Sequence, residues 1–355
     1  MASIVIAAPI TFSANPQLKQ FQFEDRLRIT LSAEGIRDIA DLRERLCIFD
    51  LSSTVWSDLG TLLWLISLFQ RLRSQRNEVQ IVFPEPIDQT REKFWDFLIR
   101  WRFFETLTAC VDDALNLLRP DQVQYLGRTS QYGVAKGPNE FGIETALHST
   151  RLLEITPIVD TLRSAKEKPE DAVFAKYTDR ILVAALGQLC GWAPDETSRF
   201  VQLVIGEGVR NSVLHAQGSF SLIAMRLDPK NLTLAISDNG MGIPDTLRIA
   251  YQKAKTKSSV ANRSDLELLK LFTEPEIVME SHIIKGAFRE GTTSAEGRKG
   301  VGLFYLKNTV LEYKGTLRIR SGRACVDFQD GTEDGRDQML SSPGTTLRIT
   351  APRRS

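Results

Sequence analysis

The sequence predicts an α/β protein of two domains. Short apolar strands alternate with amphipathic helical runs over residues 21–107. A stretch rich in Gly, Pro, Ser, Asn and Gln at 119–142 (RPDQVQYLGRTSQYGVAKGPNEFG) then interrupts the pattern, and the alternation restarts beyond it. The expected division is a first domain at 1–118, a connector at 119–150 and a second domain at 151–355, each long enough to bury its own core.

In the first domain, FQFEDRLRITL (21–31) and LCIFDL (46–51) read as strands. The run 58–73 reads as a helix with Leu62, Leu65, Ile66 and Phe69 on one stripe and RLRSQR at its end, where cations suit the macrodipole. VQIVF (79–83) is a further strand, PEP breaks the pattern, and one helix over 89–107 carries Phe94, Trp95, Leu98, Trp101 and Phe104. In the second domain RLLEITPI reads as a strand, and two helical segments fill 158–190. A long helix follows at 195–216, then the strands FSLIAMRL and LTLAISD, a polar stretch at 251–299, and a closing helix with three strands.

Composition sets the boundaries on function. Charged residues at 25% beside 42% hydrophobic fit a soluble globular chain, and a net charge of +1 gives no overall basic field for nucleic acid. The apolar start MASIVIAAPITF has no Lys or Arg before it, so a first strand or arm is expected and not a signal peptide. LGTLLWLISLF is far shorter than the ~20 residues that span a bilayer, so no membrane segment is expected. Cys47, Cys110, Cys190 and Cys325 form no C-x-x-C pair and read as buried, reduced thiols, which suits a cytoplasmic protein. His148, His215 and His282 are too scattered for a zinc site.

Four motifs carry the chemistry. On the helix at 195–216, Glu207-Gly-Val-Arg-Asn211 puts a carboxylate and an amide on one helical face, at i and i+4, in an otherwise apolar helix. Buried polar groups there need water, a metal or a ligand, since each left unpaired costs ~1–3 kcal/mol. Gly206 and Gly208 each cost ~1 kcal/mol against Ala within a helix, and the expected return is room for a neighbouring backbone or ligand. Next, NLTLAISDNGMGIPD alternates down a strand to Asp238, with Gly240 and Gly242 allowing a tight turn close to a flat ligand. The third motif, GRKGVGLFYLKNTVLEYKG, sets Gly297, Gly300 and Gly302, with Arg298 and Lys299, before a helix whose free N–H groups suit phosphate. It is neither a Walker A loop nor G-x-G-x-x-G. The last, Pro343-Gly344-Thr345-Thr346, precedes the terminal strand LRIT. Each motif alone also fits a plain core helix, βα connection, helix start or hairpin turn.

Taken in order, E-x-x-x-N on a helix, D-x-G-x-G-I-P after a strand, G-x-G-L opening a helix and G-T-T before a last strand resemble the ATP-binding fold of gyrase, heat-shock chaperones, histidine kinases and mismatch-repair ATPases (GHKL) over roughly 151–352. The resemblance implies an α/β sandwich whose mixed sheet is covered by helices on one face. It implies ATP and Mg²⁺ as cofactors, Asn211 as the Mg²⁺ ligand and Glu207 as base for an attacking water or hydroxyl. Asp238 would hold the adenine amino group, Gly240 and Gly242 would shape the base pocket, and Thr345 or Thr346 would complete the adenine side. Lys299, Gly300 and Gly302 would face the phosphates, with the lid at 251–299. PDETSRFVQLVIGEGVRNSVLHA is most similar to anti-sigma-factor serine kinases, which also have a His at the His215 position, while DNGMGIP suits the gyrase and mismatch-repair branch equally.

LCIFDLSSTVWSDLGTLLWLISLFQRLRSQRNEVQIVF resembles a STAS domain, the fold of anti-sigma-factor antagonists, over 21–107. The serine which that family phosphorylates after its motif Asp is missing: Asp58 is followed by Leu59 and Gly60, with Ser57 and Thr61 displaced. HSTRLLEITP lacks the acidic neighbour and two-helix pattern of a histidine-kinase acceptor, so His148 reads as structural. The expected function is an ATP-binding regulator that hydrolyses ATP or phosphorylates a protein Ser/Thr under control of the STAS-like module. The alternatives are a nucleotide-gated binding switch without turnover and an ATP-driven dimer clamp. A protein partner is expected, with room for a homodimer.

Overall fold

The computed structural model describes residues 9–85, 87–111, 114–123, 151–158, 180–214, 220–253, 262–273 and 302–354. The expected sites Lys299 and Gly300, the three histidines, most of the 119–142 connector and much of the 251–299 stretch lie outside them. The chain divides into two compact units, Met1–Glu140 with Met339–Ser341, and Phe141–Gln338 with Ser342–Ser355.

In the first unit, β1 (Ile10–Ser13), β3 (Leu46–Asp50) and β5 (Glu78–Val82) form a parallel sheet in the order β1-β3-β5, while β2 (Gln17–Leu18) pairs in parallel with β4 (Trp56–Ser57). Phe49 of the central strand meets Phe12 at 5.1 Å and Phe69 at 4.9 Å between ring centroids, which ties the sheet to helix α2 (Leu59–Ser74). Asp58 caps α2 by accepting from Thr61 N at 3.1 Å, and Arg71 and Arg73 occupy its last turn.

Two expectations for this unit are corrected. The segment 21–31 is not a strand: it lies in helix α1 (Gln20–Ala33). Phe23, Leu27 and Leu31, four residues apart, are buried on one face, while Ile29 is 67% exposed. The apolar residues that made this segment read as a short strand form a helical stripe. The single helix at 89–107 is two, α3 (Gln89–Arg100) and α4 (Phe103–Cys110), broken where Arg102 takes φ 56°. In one continuous helix Trp95 and Phe104 would lie ~13.5 Å apart along the axis. The break lets their rings stack at 5.4 Å.

In the second unit the elements run β6 (Arg151–Pro157), α5 (Arg180–Cys190), α6 (Pro194–Phe200), a π-helical stretch (Val201–Gly206) and α7 (Glu207–Leu214). They continue with β7 (Ser221–Leu227), β8 (Asn231–Asp238), α8 (Ile243–Lys253), α9 (Asp265–Phe272) and α10 (Gly302–Glu312). The strands β9 (Thr316–Ser321), β10 (Ala324–Gln329), β11 (Thr332–Arg336) and β12 (Thr345–Pro352) complete it. Among the described residues its strands form one sheet in the order β11-β10-β9-β12-β8-β7-β6.

Every pairing in that sheet is antiparallel, so the mixed sheet expected from the resemblance is not what forms. Loops of two or three residues join β7 to β8, β9 to β10 and β10 to β11, and such short links permit only antiparallel neighbours. Strand β12 runs antiparallel to both β8 and β9 and separates them. The closing segment thus holds four strands, not three; the polar sequence TEDGR of β11 hid the extra one. Ile236, Leu347 and Ile319 lie on the same face and join Val204, Val209 and Leu306 from the helices in one core.

Candidate functional site

The apolar face of the sheet turns polar at one end. Successive residues of a strand point to opposite faces, so Asp238 shares the face of Ile236, Thr345 that of Leu347, and Ser321 that of Ile319. Register places Ser221 opposite Asp238 and Thr345 opposite Ser321, giving a polar row across β7, β8, β12 and β9.

Asp238 is the acidic member of this row and is only 4% exposed. Its Oδ1 accepts from Gly240 N at 2.9 Å and from Thr345 N at 3.2 Å. The first bond is the Asx turn that an Asp two residues before a glycine favours. Burial pushes the carboxyl up to about 7 against the opposing pull of those two N–H groups. Gly242, at φ +84°, and Gly344, at φ +72°, hold backbone conformations that other residues rarely adopt. A side chain at Gly344 would begin 2.2 Å from the Asp238 carbonyl oxygen.

The two threonines separate by parity. Thr345 lies on the Asp238 face, and its hydroxyl is 2.9 Å from Ser321 Oγ. Thr346 lies on the opposite face, where its hydroxyl meets Ser237 Oγ at 2.9 Å. Arg320 shares that second face and donates to the carbonyls of Gly322 and Ala324.

The helical side reaches the same end of the sheet. A Cβ on Gly208 would sit 2.6 Å from Ile236 Cδ1, so α7 packs directly on β8 at that glycine. One turn on, the Ser212 carbonyl accepts from Ser221 Oγ at 2.8 Å, which joins the end of α7 to the polar row. Asn211 is the residue before Ser212. Its Nδ2 is buried and donates no hydrogen bond among the described residues. Glu207 receives Arg210 Nη1 on Oε1 at 2.5 Å in a pair whose side chains are 14% and 30% exposed.

Helix α10 brings in the third motif. A Cβ on Gly302 would lie 2.6 Å from Glu207 Oε2 and 3.6 Å from Asn211 Nδ2. The absence of a side chain there lets the start of α10 face the Glu207–Asn211 pair. The far end of α10 is fixed by aromatic packing, Tyr313 against Trp192 at 5.1 Å and Phe200 at 5.2 Å, with the Tyr313 hydroxyl donating to the Glu196 carbonyl. Lys314, at φ 54°, turns the chain after α10, and Gly315 is required instead by its approach to the Thr350 carbonyl, 2.4 Å from where a Cβ would stand.

Glu207, Asn211 and Gly302 therefore form one group, and Asp238, Gly240, Gly242 and Thr345 another, joined through Ser212 and Ser221. Thr346 points away from both. Two contributors escaped sequence reasoning. Arg210 had a usable signal, its i, i+3 spacing from Glu207. Ser321 had none beyond a polar residue ending an apolar strand. Among the described residues no cluster of His, Cys, Asp and Glu could hold a metal, and no helix is long and apolar enough to cross a membrane.

An E-x-x-x-N helix thus packs on an antiparallel sheet at the end that holds a buried acidic strand residue and its glycine turn. Residues 196–355 match the family model of histidine kinase-, DNA gyrase B-, and HSP90-like ATPases, so the C-terminal part of the chain carries a domain of this family. No curated protein sequence matches the chain.

Proposed function

We propose that the second unit binds Mg²⁺–ATP with its base at Asp238 and its phosphates beside Glu207, Asn211 and the start of α10, and that it hydrolyses the nucleotide or passes its terminal phosphoryl group to a protein Ser/Thr. The observation that carries this reading is the meeting of Gly302 with Glu207 and Asn211 at the end of the sheet where Asp238 is buried. Among the described residues both backbone partners of Asp238 bond Oδ1, so Oδ2 is the oxygen offered to an exocyclic amine. Thr345, on that face, is the threonine assigned to the base, and Lys299 and Gly300 are assigned to the phosphates with Gly302.

The amide oxygen of Asn211 is the protein ligand assigned to a magnesium ion that keeps its phosphate and water ligands, and Gly302 leaves space beside that side chain. Bound there, the ion supplies charge neutralisation for the phosphates. Glu207 accepts the proton of the attacking water or hydroxyl. Arg210 occupies Oε1, so Oε2, the oxygen facing Gly302, is the one assigned to the proton.

The Arg210 contact also favours a second reading, a nucleotide-gated switch in which Glu207 stays engaged and no turnover occurs. In either case the first unit serves as a STAS-like partner-binding module that does not accept phosphate at α2. Ser57 and Thr61 are fully buried, and Thr61 Oγ1 is held by Asp58 Oδ2 at 2.8 Å and by Gln20 N at 3.0 Å. Incubating the full chain with γ-labelled ATP and Mg²⁺ separates the outcomes: free phosphate marks an ATPase, labelled protein a kinase, and binding alone the switch. Glu207→Ala is expected to bind ATP and to lose turnover by about 100-fold or more. Unchanged turnover rejects Glu207 as the base.

A further inference from the structure

We infer that Arg210 is a positioning residue that keeps the Glu207 carboxylate off the magnesium ion assigned to Asn211, so that Glu207 remains a base and does not become a ligand. The inference rests on the nucleotide reading above and deepens it.

Three residues of α7 take part, and the helix sets their order around its axis. At about 100° per residue, Asn211 stands roughly 40° from Glu207 on one side and Arg210 roughly 60° from it on the other. Glu207 is thus flanked by an amide and by a guanidinium. Its carboxylate joins the guanidinium, with Arg210 Nη1 donating to Oε1 at 2.5 Å. A guanidinium only donates and an ionised carboxylate only accepts, so the direction of this bond has a single assignment. The other oxygen, Oε2, lies 2.6 Å from the place where a Cβ on Gly302 would stand, and Asn211 Nδ2 is 3.6 Å from the same place. A carboxylate oxygen and the Asn211 amide therefore border one small space at the start of α10.

Mg²⁺ is commonly held by one or two carboxylates together with phosphate oxygens. Of the two side chains at this space, the charged Glu207 is the stronger ligand. As a ligand it would commit its lone pairs to the ion and could not accept a proton. Without a tether, the Glu207 side chain is free to rotate toward Asn211. The bond to Arg210 draws it the opposite way around the helix. The guanidinium also places a positive charge against Oε1, which disfavours a second cation on the same carboxylate.

Titration calorimetry of the full chain with ADP, in Mg²⁺ and again in EDTA, tests this without turnover. The ratio of the two affinities reads how strongly the ion is held. Arg210→Ala is expected to raise that ratio about tenfold, because the released Glu207 joins the ion. Arg210→Lys, which keeps a cation in reach of Oε1, should stay near wild type. In a Glu207→Gln background Arg210→Ala should leave the ratio unchanged, since no carboxylate is there to be released. The Arg210 side chain is 30% exposed and alanine is the better helix former, so α7 should persist in the variant. With ATP, Arg210→Ala should lower kcat about tenfold or more without raising KM. A Mg²⁺-to-EDTA ratio unchanged in Arg210→Ala overturns the role of Arg210 alone. ADP binding weakened equally in Mg²⁺ and EDTA also overturns it, and would make Arg210 a direct phosphate ligand. A rise in kcat overturns it as well, and would mean that the ion pair holds Glu207 idle. Wild type that binds no ADP overturns the nucleotide reading and this inference with it.

Discussion

Replacing Asp238 by Asn should make the C-terminal unit more stable and poorer at binding adenine nucleotides, with a pH dependence that identifies the cause. The carboxyl is buried and pushed up from 3.8 to about 7 by desolvation. A displacement of that size corresponds to roughly 4 kcal/mol of disfavour for the ionised form in the folded state. The folded state holds its proton where the unfolded chain has lost it, so stability is greatest below about pH 4 and is lost as pH rises through about 7. An Asn does not titrate, and its Oδ1 can still accept from Gly240 N and Thr345 N. The stability of Asp238→Asn minus that of wild type should therefore rise by up to ~1.4 kcal/mol per pH unit within this window and level off above it. At the same time an amide NH₂ replaces Oδ2, so a donor meets the donor of an exocyclic amine, and ADP affinity should fall by about 10–100-fold. Urea unfolding at about pH 5, 6, 7 and 8, read by pulse hydrogen exchange in peptides of β8 and β12, reports this unit separately from the first. A stability difference that does not change with pH would refute the desolvation argument, even if ADP binding were lost.

Two glycine substitutions probe the groups separately. Gly302→Ala places a methyl 2.6 Å from the far end of the Glu207 side chain, which can shift by rotation, so unfolding should change little, by about 1 kcal/mol or less in either direction, while turnover falls at least about tenfold; normal turnover counts against Glu207 as base. Gly344→Ala combines φ +72° with a Cβ 2.2 Å from the Asp238 carbonyl, whose backbone cannot easily yield. A loss above about 2 kcal/mol in urea unfolding is expected, and a loss under about 0.5 would show that the turn adapts.

Most of what makes this site was legible in local pattern. The strands around Asp238, the Asp58-capped helix and the E-x-x-x-N helix all announce themselves through period or capping, because those signals are carried by neighbours in the chain. Thr345 and Thr346 could not be told apart in the same way. Which of them faces Asp238 depends on the register of β12 between β8 and β9, and a slip of one residue would exchange them. Ser321 was invisible for the same reason, since its partners lie 78 and 24 residues away. The misread segments obey the converse rule. In α1 apolar content reads as a strand where its buried residues recur every four, and in α3–α4 the packing of Phe104 on Trp95 overrides a continuous helical pattern.

The motif glycines show how contact geometry is written into sequence without being readable from it. Gly208 and Gly302 both look like helix-weakening residues, yet neither has the left-handed backbone that would require glycine. Each is needed because another group occupies the place of its side chain: Ile236 beneath Gly208, the Glu207 carboxylate beside Gly302. The first sets how closely α7 lies on β8, and hence how near Asn211 comes to the strand end at Asp238. The second sets how closely α10 approaches Glu207. Distances that bring Glu207, Asn211 and the acidic strand end together are thus controlled by side chains that are absent, and enlarging either glycine is expected to shift α7 or α10 before it disturbs the fold.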